Sequence, residues 1–439
     1  MKKIFIAGAL LAANLFPGFA QDDDVLTLSL RGLRMSKTDP VYGTARYSAM
    51  GGAMDAFGAD ASTMRDNPAG LGVYRKSDIT FTLNVNSDND GGVHCNVNNF
   101  GLIWNFGGKN REHGYVTSSL AFAYNRLGNY HREDYTYGTY GDGYEYENNF
   151  VEKGGSGEWN IAYGLNISNH FFFGAGVNIM NIDYEQNTNF NSEEDNNFYM
   201  NASGANFTLG TIIKPADFVN ISLGFKSPTW LTVTEDAYYP MRNDDNEIEY
   251  NHWGEMEYGG YEGVDYELQT PLQVNGGLGF VVGKRAAIGI DYKFQDYSCI
   301  VEKNSKGKFR DAEKFEDKNY QATHTIKAGA EVQIAKGWAV RGGFAYETSP
   351  TKDGMYNPVQ YDNVLYSYTV PKESMYFTGG FGFHSPKTPF YADFAYVRKN
   401  QKEDFYEWQS VDDKGNYEKS PIKQTIGVNN FIVTLGFKL

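Results

Sequence analysis

The strongest constraint in this sequence is an alternation of apolar and polar residues that fills most of the chain. The clearest run is ITFTLNVN at 79–86, and the same period of two recurs at 286–295, 326–334, 338–347 and 430–439. A period of two is typical of β-strands with one apolar face. The aromatic content of 16% also favours strands over helices.

The polar face of these runs carries charges that a soluble β-sandwich would not place in its core. In a transmembrane β-barrel the apolar face meets lipid and the polar face lines a lumen. Such charges usually form ion pairs and hydrogen bonds that hold a plug, whereas ligand contacts and a proton path are the alternatives. The predicted lumen charges are Asp291, Lys293, Lys327, Glu331, Arg341 and Glu347.

Fourteen segments fit the strand pattern, and an even number of antiparallel strands can close a barrel. Short junctions such as 168–170 and 335–337 alternate with long polar stretches such as 131–157 and 236–264. The sequence therefore predicts an all-β fold, a fourteen-stranded antiparallel transmembrane β-barrel with its long loops outside the cell. The predicted strands are 78–87, 98–107, 114–130, 157–168, 171–186, 198–213, 218–235, 265–282, 285–301, 320–335, 337–348, 373–384, 388–400 and 423–439.

The first 75 residues lack this alternation. Residues 1–20 have a basic start, an apolar centre and a small-residue end, which predicts a secretory signal peptide in preference to a core helix. Residues 21–75 are rich in small residues and predict a plug of short helices and turns inside the barrel, which then comprises residues 76–439. Secretion combined with a barrel predicts the outer membrane of a Gram-negative bacterium.

Composition excludes several classes of function. With 39 basic and 54 acidic residues the chain is a poor candidate for binding nucleic acid. No run of about 18 apolar residues occurs, which excludes helical membrane spans. The seven histidines show no metal-ligand spacing, and no nucleophile motif occurs, so we expect no metal, no cofactor, no catalytic residues and no enzyme activity. Cys95 and Cys299 are expected to be free thiols.

Four segments together resemble the FadL/TodX family of outer-membrane transporters for long-chain fatty acids and other hydrophobic compounds. They are GADASTMRDNPAGLG at 58–72, GFKSPTWLTV at 224–233, TPLQVNGGLGFVVGKRAAIGIDYKFQDYS at 270–298 and HTIKAGAEVQIAKGWAVRGGFAYETSP at 324–350. The resemblance implies a fourteen-stranded barrel whose N-terminal segment folds inward as a plug. It also implies that the third strand, around 123–128, is kinked and opens the wall sideways.

The resemblance places a plug motif at Asn67, Pro68, Ala69 and Gly70. The residues alone also allow a purely structural interpretation, in which Asn67 caps a short helix and Pro68 occupies its first turn. The two interpretations are compatible with each other.

The function implied is passive uptake of a hydrophobic small molecule or fatty acid, gated by the plug, with lateral release into outer-membrane lipid. The alternative is a barrel that anchors acidic, tyrosine-rich loops for binding a ligand or host surface. The stretches GDGYEYENNF and NDDNEIEYNHWGEMEYGGYEGVDYE favour this alternative, and the plug-like segment argues against it.

Overall fold

The computed structural model describes the chain from Leu30 onward with several gaps. The predicted signal peptide, residues 1–20, lies outside the described residues. The described ranges are 30–87, 92–107, 114–139, 145–190, 194–241, 251, 257–283, 285–304, 319–353, 368–406 and 421–439.

Short helices precede a long series of strands. The helices are α1 (Leu30–Ser36), α2 (Ala45–Ala49) and the 3₁₀ helices Ala61–Arg65, Pro68–Val73 and Tyr297–Cys299. Across the ranges given above, no helix is long and apolar enough to cross a membrane. The strand segments are β1 (Asp78–Ser87), β2 (Val93–Gly107), β3 (Tyr115–Asn129), β4 (Arg132–Thr139), β5 (Glu145–Ile167), β6 (Phe171–Phe190), β7 (Glu194–Ala216), β8 (Val219–Lys226), β9 (Trp230–Pro240), β10 (Tyr258–Gln269), β11 (Gln273–Val282), β12 (Ala286–Asp296), β13 (Val301–Asn304), β14 (Ala322–Ala335), β15 (Trp338–Glu347), β16 (Tyr368–His384), β17 (Phe390–Tyr406) and β18 (Ile422–Lys438).

These eighteen segments form fourteen wall strands, because four wall strands are each interrupted once. β3 and β4 both pair with β5, and β8 and β9 both pair with β7. β10 with β11, and β12 with β13, make the other two interrupted strands. Every pairing is antiparallel, and β1 pairs with both β2 and β18, which closes the barrel. The predicted fold class and strand number are confirmed.

The alternation in β1 places its apolar side chains outside. Ile79 and Phe81 are 39% and 43% exposed, whereas Thr80 and Thr82 are buried. The outward apolar face and buried polar face are the reverse of a soluble sheet and suit a wall that stands in lipid.

The alternation changes phase in the upper part of β6, at the end of the barrel away from Asp78 and Lys438. Phe173 and Ile179 point outward, but beyond them the outward positions are Asn181 and Asp183, which are exposed. The inward positions there are the buried Met180, Ile182 and Tyr184. The upper ends of β7, β9 and β10 show the same inverted pattern, with inward apolar and outward polar residues. These strand ends therefore suit water outside and an apolar interior.

The inverted ends also correct two predicted loops. Residues 131–157 are mostly strand, because β4 and the first half of β5 pair with each other over Arg132–Thr139. Within 236–264, β9 continues to Pro240 and β10 begins at Tyr258. The prediction failed there because it required a continuous apolar outward face. Glycines and charges interrupt the alternation in 131–157, and Phe150 of β5 is buried on the inward face.

The N-terminal segment, residues 30–75, packs on the inner face of the wall along two rows of glycines. A β-carbon on Gly174 would lie 2.2 Å from the carbonyl carbon of Pro68, and one on Gly343 would lie 2.4 Å from the nitrogen of Gly51. Glycine permits this approach of two backbones. Strand register makes the rows continuous across neighbouring strands, as Gly164, Gly174, Gly210 and Gly224 in one row and Gly279, Gly289, Gly329 and Gly343 in the other.

A ladder of buried asparagines crosses the inner face of five wall strands. Each side-chain amide donates to the carbonyl oxygen of the next at 2.7–2.9 Å, and the last donates to Thr229 at 3.0 Å. The ladder satisfies polar groups that would otherwise be buried without partners. Its members are Asn99, Asn125, Asn160, Asn178 and Asn206.

Candidate functional site

The largest buried apolar cluster lies inside the upper barrel, where the alternation is inverted. We call it the apolar chamber. It contains Leu33 and Met35 from α1, and both side chains are almost completely buried. The wall of the chamber consists of Tyr130, Met180, Ile182, Tyr184, Phe198, Met200, Ala202, Leu231, Val233, Tyr266, Leu268, Tyr297, Ile300, Tyr320 and Val370.

Polar side chains at three positions hold α1 and the residues after it against the wall. The Arg34 guanidinium pairs with Glu152 and lies 5.8 Å from the ring centres of Tyr130 and Tyr184. Asp39 accepts from the Tyr376 hydroxyl at 2.8 Å and from the Lys399 ammonium at 2.6 Å, so the exit of the helix is fixed as well.

Lys37 provides the remaining contact. Its ammonium donates to Ser374 at 3.4 Å and lies 3.9 Å from a carboxylate oxygen of Glu347. α1 therefore fills the apolar chamber, and side chains at 34, 37 and 39 hold it to β5 and to β15–β17.

Below the chamber lies a buried group of charges, the charged seat, shared by the N-terminal segment and the wall. Arg65 Nη1 donates to Asp66 Oδ1 at 2.9 Å, and its Nε lies 3.3 Å from Glu158 Oε1. The Lys327 ammonium lies 3.6 Å from Asp66 Oδ2, and Lys226 pairs with Glu158. Buried charges persist in proteins when they are paired in this way.

Two carboxyl groups of the seat respond to it in opposite directions. Burial alone would raise the pKa of Asp66, but Arg65 and Lys327 outweigh it and hold that pKa far below its ordinary value. Burial raises the pKa of Asp55 to about 6, although Lys327 acts against the rise. Asn275 donates to Asp55 Oδ2 at 2.7 Å.

The plug motif lies between the charged seat and the first glycine row. Asn67 caps the 3₁₀ helix Pro68–Val73, since its side-chain oxygen accepts from the amide of Ala69 at 3.2 Å. The side-chain nitrogen of Asn67 also donates to the carbonyl oxygens of Asp55 and Thr211 at 3.3 and 3.2 Å. Gly70 packs against Gly58, whose positive φ of 62° suits glycine. The motif thus caps a helix and joins the segment to the wall.

All six predicted lumen charges are on the inward face, and four of them contact the N-terminal segment. Asp291 accepts from the amide of Asp55 at 3.0 Å, and Lys327 contacts the charged seat. Glu331 pairs with Arg46 at 3.0 Å, and Glu347 faces Lys37.

The other two charges lie beside these four. Arg341 donates to Glu331 and to Asp393, both at 2.6 Å. Lys293 is buried on β12, two residues from Asp291. The structure therefore brings the predicted charges together around the segment that fills the lumen.

Sequence reasoning did not predict the apolar chamber, and of the charged seat it predicted only Lys327. Met180 and Ile182 are inward residues of a strand that also has outward apolar residues, so alternation gave no sign of their direction. Arg65 and Asp66 stand directly before the plug motif. A charged pair within a segment that is expected to be buried inside a barrel must have charged partners there. This signal in the sequence could have identified Arg65 and Asp66 as site residues.

The wall between β2 and β3 is paired over only part of its height. The described pairing runs from Gly107 with Thr117 to Asn99 with Asn125. Beyond Asn125, β3 keeps its partner β5, with a bulge at Leu127. Leu127 is buried against residues of the N-terminal segment, and its carbonyl oxygen accepts from the amide of Asp39 at 2.8 Å. The bulge therefore lies in the predicted kink region, 123–128.

A closed antiparallel barrel with an internal N-terminal segment defines the class of plugged β-barrels. No protein-family model and no curated protein matches the chain. Among solved structures, a Pseudomonas aeruginosa FadL homologue is 14% identical with a TM-score of 0.58, covering 91% of this chain and 99% of that one.

Two further structures are similar to the same extent. The toluene transporter TbuX of Ralstonia pickettii is 14% identical with a TM-score of 0.56, over 93% of this chain and 100% of that one. The monoaromatic hydrocarbon channel CymD is 13% identical with a TM-score of 0.55, over 92% and 98%. The chain thus has the FadL/TodX barrel fold, as its sequence predicted.

Proposed function

We propose that this chain is an outer-membrane channel for the passive uptake of hydrophobic compounds such as long-chain fatty acids. The observation that supports it most is the apolar chamber, enclosed by polar-faced strands and filled by α1. A water-filled pore disfavours apolar solutes, whereas a chamber of this kind accepts them at a gain of about 0.8 kcal/mol for each buried CH₂.

The N-terminal segment is the proposed gate, and its two parts are held differently. Residues 49–72 lie with their backbone against the glycine rows and contribute to the charged seat. Residues 30–39 are held through side chains, chiefly Arg34, Lys37 and Asp39. A solute entering the chamber would displace α1 first, since its contacts are fewer and reach through flexible side chains.

Lateral release is the proposed exit. Where β2 and β3 stop pairing, the rings of His94 of β2 and His131 are in contact, with their centres 4.1 Å apart and their planes tilted by 38°. Side chains rather than a backbone ladder span the wall at this level, in the part of the chain that the structure describes. A solute leaving here would pass directly into lipid, where its apolar surface stays out of water.

Uptake of a labelled long-chain fatty acid tests the proposal in cells that lack their own transporter. Three variants at matched surface levels test its two parts. Replacement of Asn67, Pro68 and Ala69 tests the gate, and deletion of Leu127 and Leu127→Ala test the lateral exit. The deletion removes the bulge residue, so we expect uptake to be lost although the barrel stays heat-modifiable. Leu127→Ala keeps the bulge and should retain most uptake. Absence of uptake by the parent would count against the transporter.

The surface-anchor alternative has one supporting feature. Tyr135 and Tyr137 of β4, at the upper end of the barrel, are 54% and 71% exposed. Replacing both by alanine separates the functions: lost adhesion to cells or polymers with intact fatty-acid uptake would favour the anchor. Unchanged adhesion would leave the channel as the better account.

A further inference from the structure

Glu347 is a buried carboxylate without a hydrogen-bond partner. Its side chain is completely buried, and neither oxygen accepts a hydrogen bond from any described residue. The nearest cation is Lys37, whose ammonium at 3.9 Å is beyond hydrogen-bond distance. A second buried cation, Lys293, lies in the same row of the wall, on the other side of Thr325 from Glu347. Native proteins rarely leave a buried charged group without a hydrogen-bond partner, so the unpartnered carboxylate of Glu347 requires an explanation.

Other unpartnered groups surround Glu347 on the same inner face. Thr325 lies directly opposite Glu347 in the β14–β15 register, and its hydroxyl has no partner. The side-chain oxygen of Gln295 and the hydroxyl of Tyr297 are likewise buried and unpartnered among the described residues. Carboxylate and amide oxygens only accept hydrogen bonds. The hydroxyls of Thr325 and Tyr297 can donate or accept, whereas Glu347 and the Gln295 oxygen need a donor. A ligand group that donates hydrogen bonds would therefore satisfy this part of the wall.

The N-terminal segment presents such a group in line with an apolar stretch. Leu33 and Met35 occupy the apolar chamber, and Lys37 follows them toward Glu347 and Ser374. Residues 33–37 thus have the layout of an amphiphile: an apolar body followed by a cationic, hydrogen-bond-donating head.

We infer that the chamber binds amphiphiles whose head group is an ammonium or a hydroxyl, selected by Glu347, and that residues 33–37 occupy their place in the empty channel. This inference rests on the proposed function and specifies its solute class. An ammonium head could pair directly with Glu347. A carboxylate head would instead add a second negative charge beside Glu347 once Lys37 had left, and Lys293 alone would then face two buried carboxylates. Burying charge that is not fully paired is costly.

Binding of three probes with the same alkyl chain tests the head-group preference: decylamine, decanol and decanoate. The full mature chain would be placed in lipid nanodiscs at neutral pH, and binding to empty nanodiscs subtracted. We expect decylamine to bind most tightly. Glu347→Gln should weaken decylamine by about tenfold and leave decanol within about threefold, since a buried hydrogen-bonded charge pair is lost only for the amine.

Lys37→Met tests the built-in occupant independently of Glu347. It removes the competing ammonium and keeps an apolar side chain, so decylamine should gain about tenfold more than decanoate. Lys399→Met is the matched control. The Lys399 ammonium lies 2.6 Å from Asp39 of the same segment, and this ion pair does not include Glu347. Loosening the segment there should help all three probes alike.

The outcomes separate this inference from the proposed function. The head-group selection would be overturned if the parent bound decanoate more tightly than decylamine, or if Glu347→Gln left the preference for the amine unchanged. Either result would still be compatible with a hydrophobic channel. Binding of no probe above empty nanodiscs would overturn both.

Discussion

At the scale of single residues, the lumen depends on amides that satisfy one another. Asn178 stands in the middle of the ladder, where it donates to Asn206 and Thr208, both at 2.7 Å, and accepts from Asn160. Its side chain is completely buried. Removing one member of such a chain leaves buried donors and acceptors without partners.

Asn178→Ala should therefore lower the free energy of unfolding by about 1–3 kcal/mol. Asn181→Ala is the matched control, because Asn181 is exposed on the outward face of the same strand. Urea unfolding in lipid vesicles measures both variants. Equal losses for the two would show that the ladder contributes little.

A second residue-scale prediction concerns Asp55. Its folded pKa of about 6 is above the unfolded value of about 3.9, so the fold favours the protonated carboxyl. The stabilisation from Asp55 is complete below about pH 4 and is lost as the pH rises through about 6. Between pH 7 and pH 5 the barrel should gain about 1 kcal/mol from this group.

Asp55→Asn should remove that part of the pH dependence. Thermal midpoints of the parent and the variant at pH 5 and pH 7 supply the comparison. Because other carboxyl groups titrate in both proteins, the difference between the two proteins is the relevant quantity. A variant as sensitive to pH as the parent would contradict the role of Asp55.

At the scale of elements, the glycine rows hold the middle of the N-terminal segment. Gly343→Ala would bring a methyl group 2.4 Å from the backbone of Gly51. The segment must then move inward, and we expect leakage of a hydrophilic dye into cells to rise. Gly342→Ala is next in sequence but faces outward, with its nearest atom, the oxygen of Thr378, at 3.9 Å. It should leave leakage unchanged, and equal leakage from both would argue against the rows as a support.

The elements also show what alternation can and cannot predict. β1 was predicted at 78–87 with its observed bounds, since lipid outside and polar contacts inside impose opposite requirements on its two faces. β5 begins at Glu145, twelve residues before its predicted start at 157, in a stretch where glycines and charges break the period. The upper end of β6 has inward Ile182 and outward Asp183, the reverse phase, because water replaces lipid outside.

The candidate site was predictable only in part for the same physical reason. Charges such as Lys327 and Glu331 were found because a polar face in a lipid-exposed strand must line the lumen. The partners of these charges, Asp66 and Arg46, come from a segment without period, whose position depends on tertiary packing alone. The apolar chamber arises from the phase change between lower and upper wall, which appears only once the strands are aligned.

At the scale of the whole molecule, the barrel encloses two layers with different roles. The glycine rows and the charged seat close the lumen toward the lower end of the barrel, where Asp78 pairs with Lys438. The apolar chamber lies above them and is closed by α1 alone among the elements of the N-terminal segment. Closure against water and access for solute are thus assigned to different parts of one segment.

Two deletions in the mature chain should separate these layers. Removal of residues 21–39 takes away α1 but leaves the backbone contacts of residues 49–72, so the chamber should bind more of a fluorescent long-chain alcohol without greater leakage of a hydrophilic dye. Removal of residues 60–70 takes away Arg65, Asp66 and the plug motif, so dye leakage should rise. Both proteins would be compared at matched surface levels and checked for a heat-modifiable barrel. Dye leakage from the first deletion equal to that from the second would mean that α1 itself seals the channel against water, and the division into two layers would be wrong.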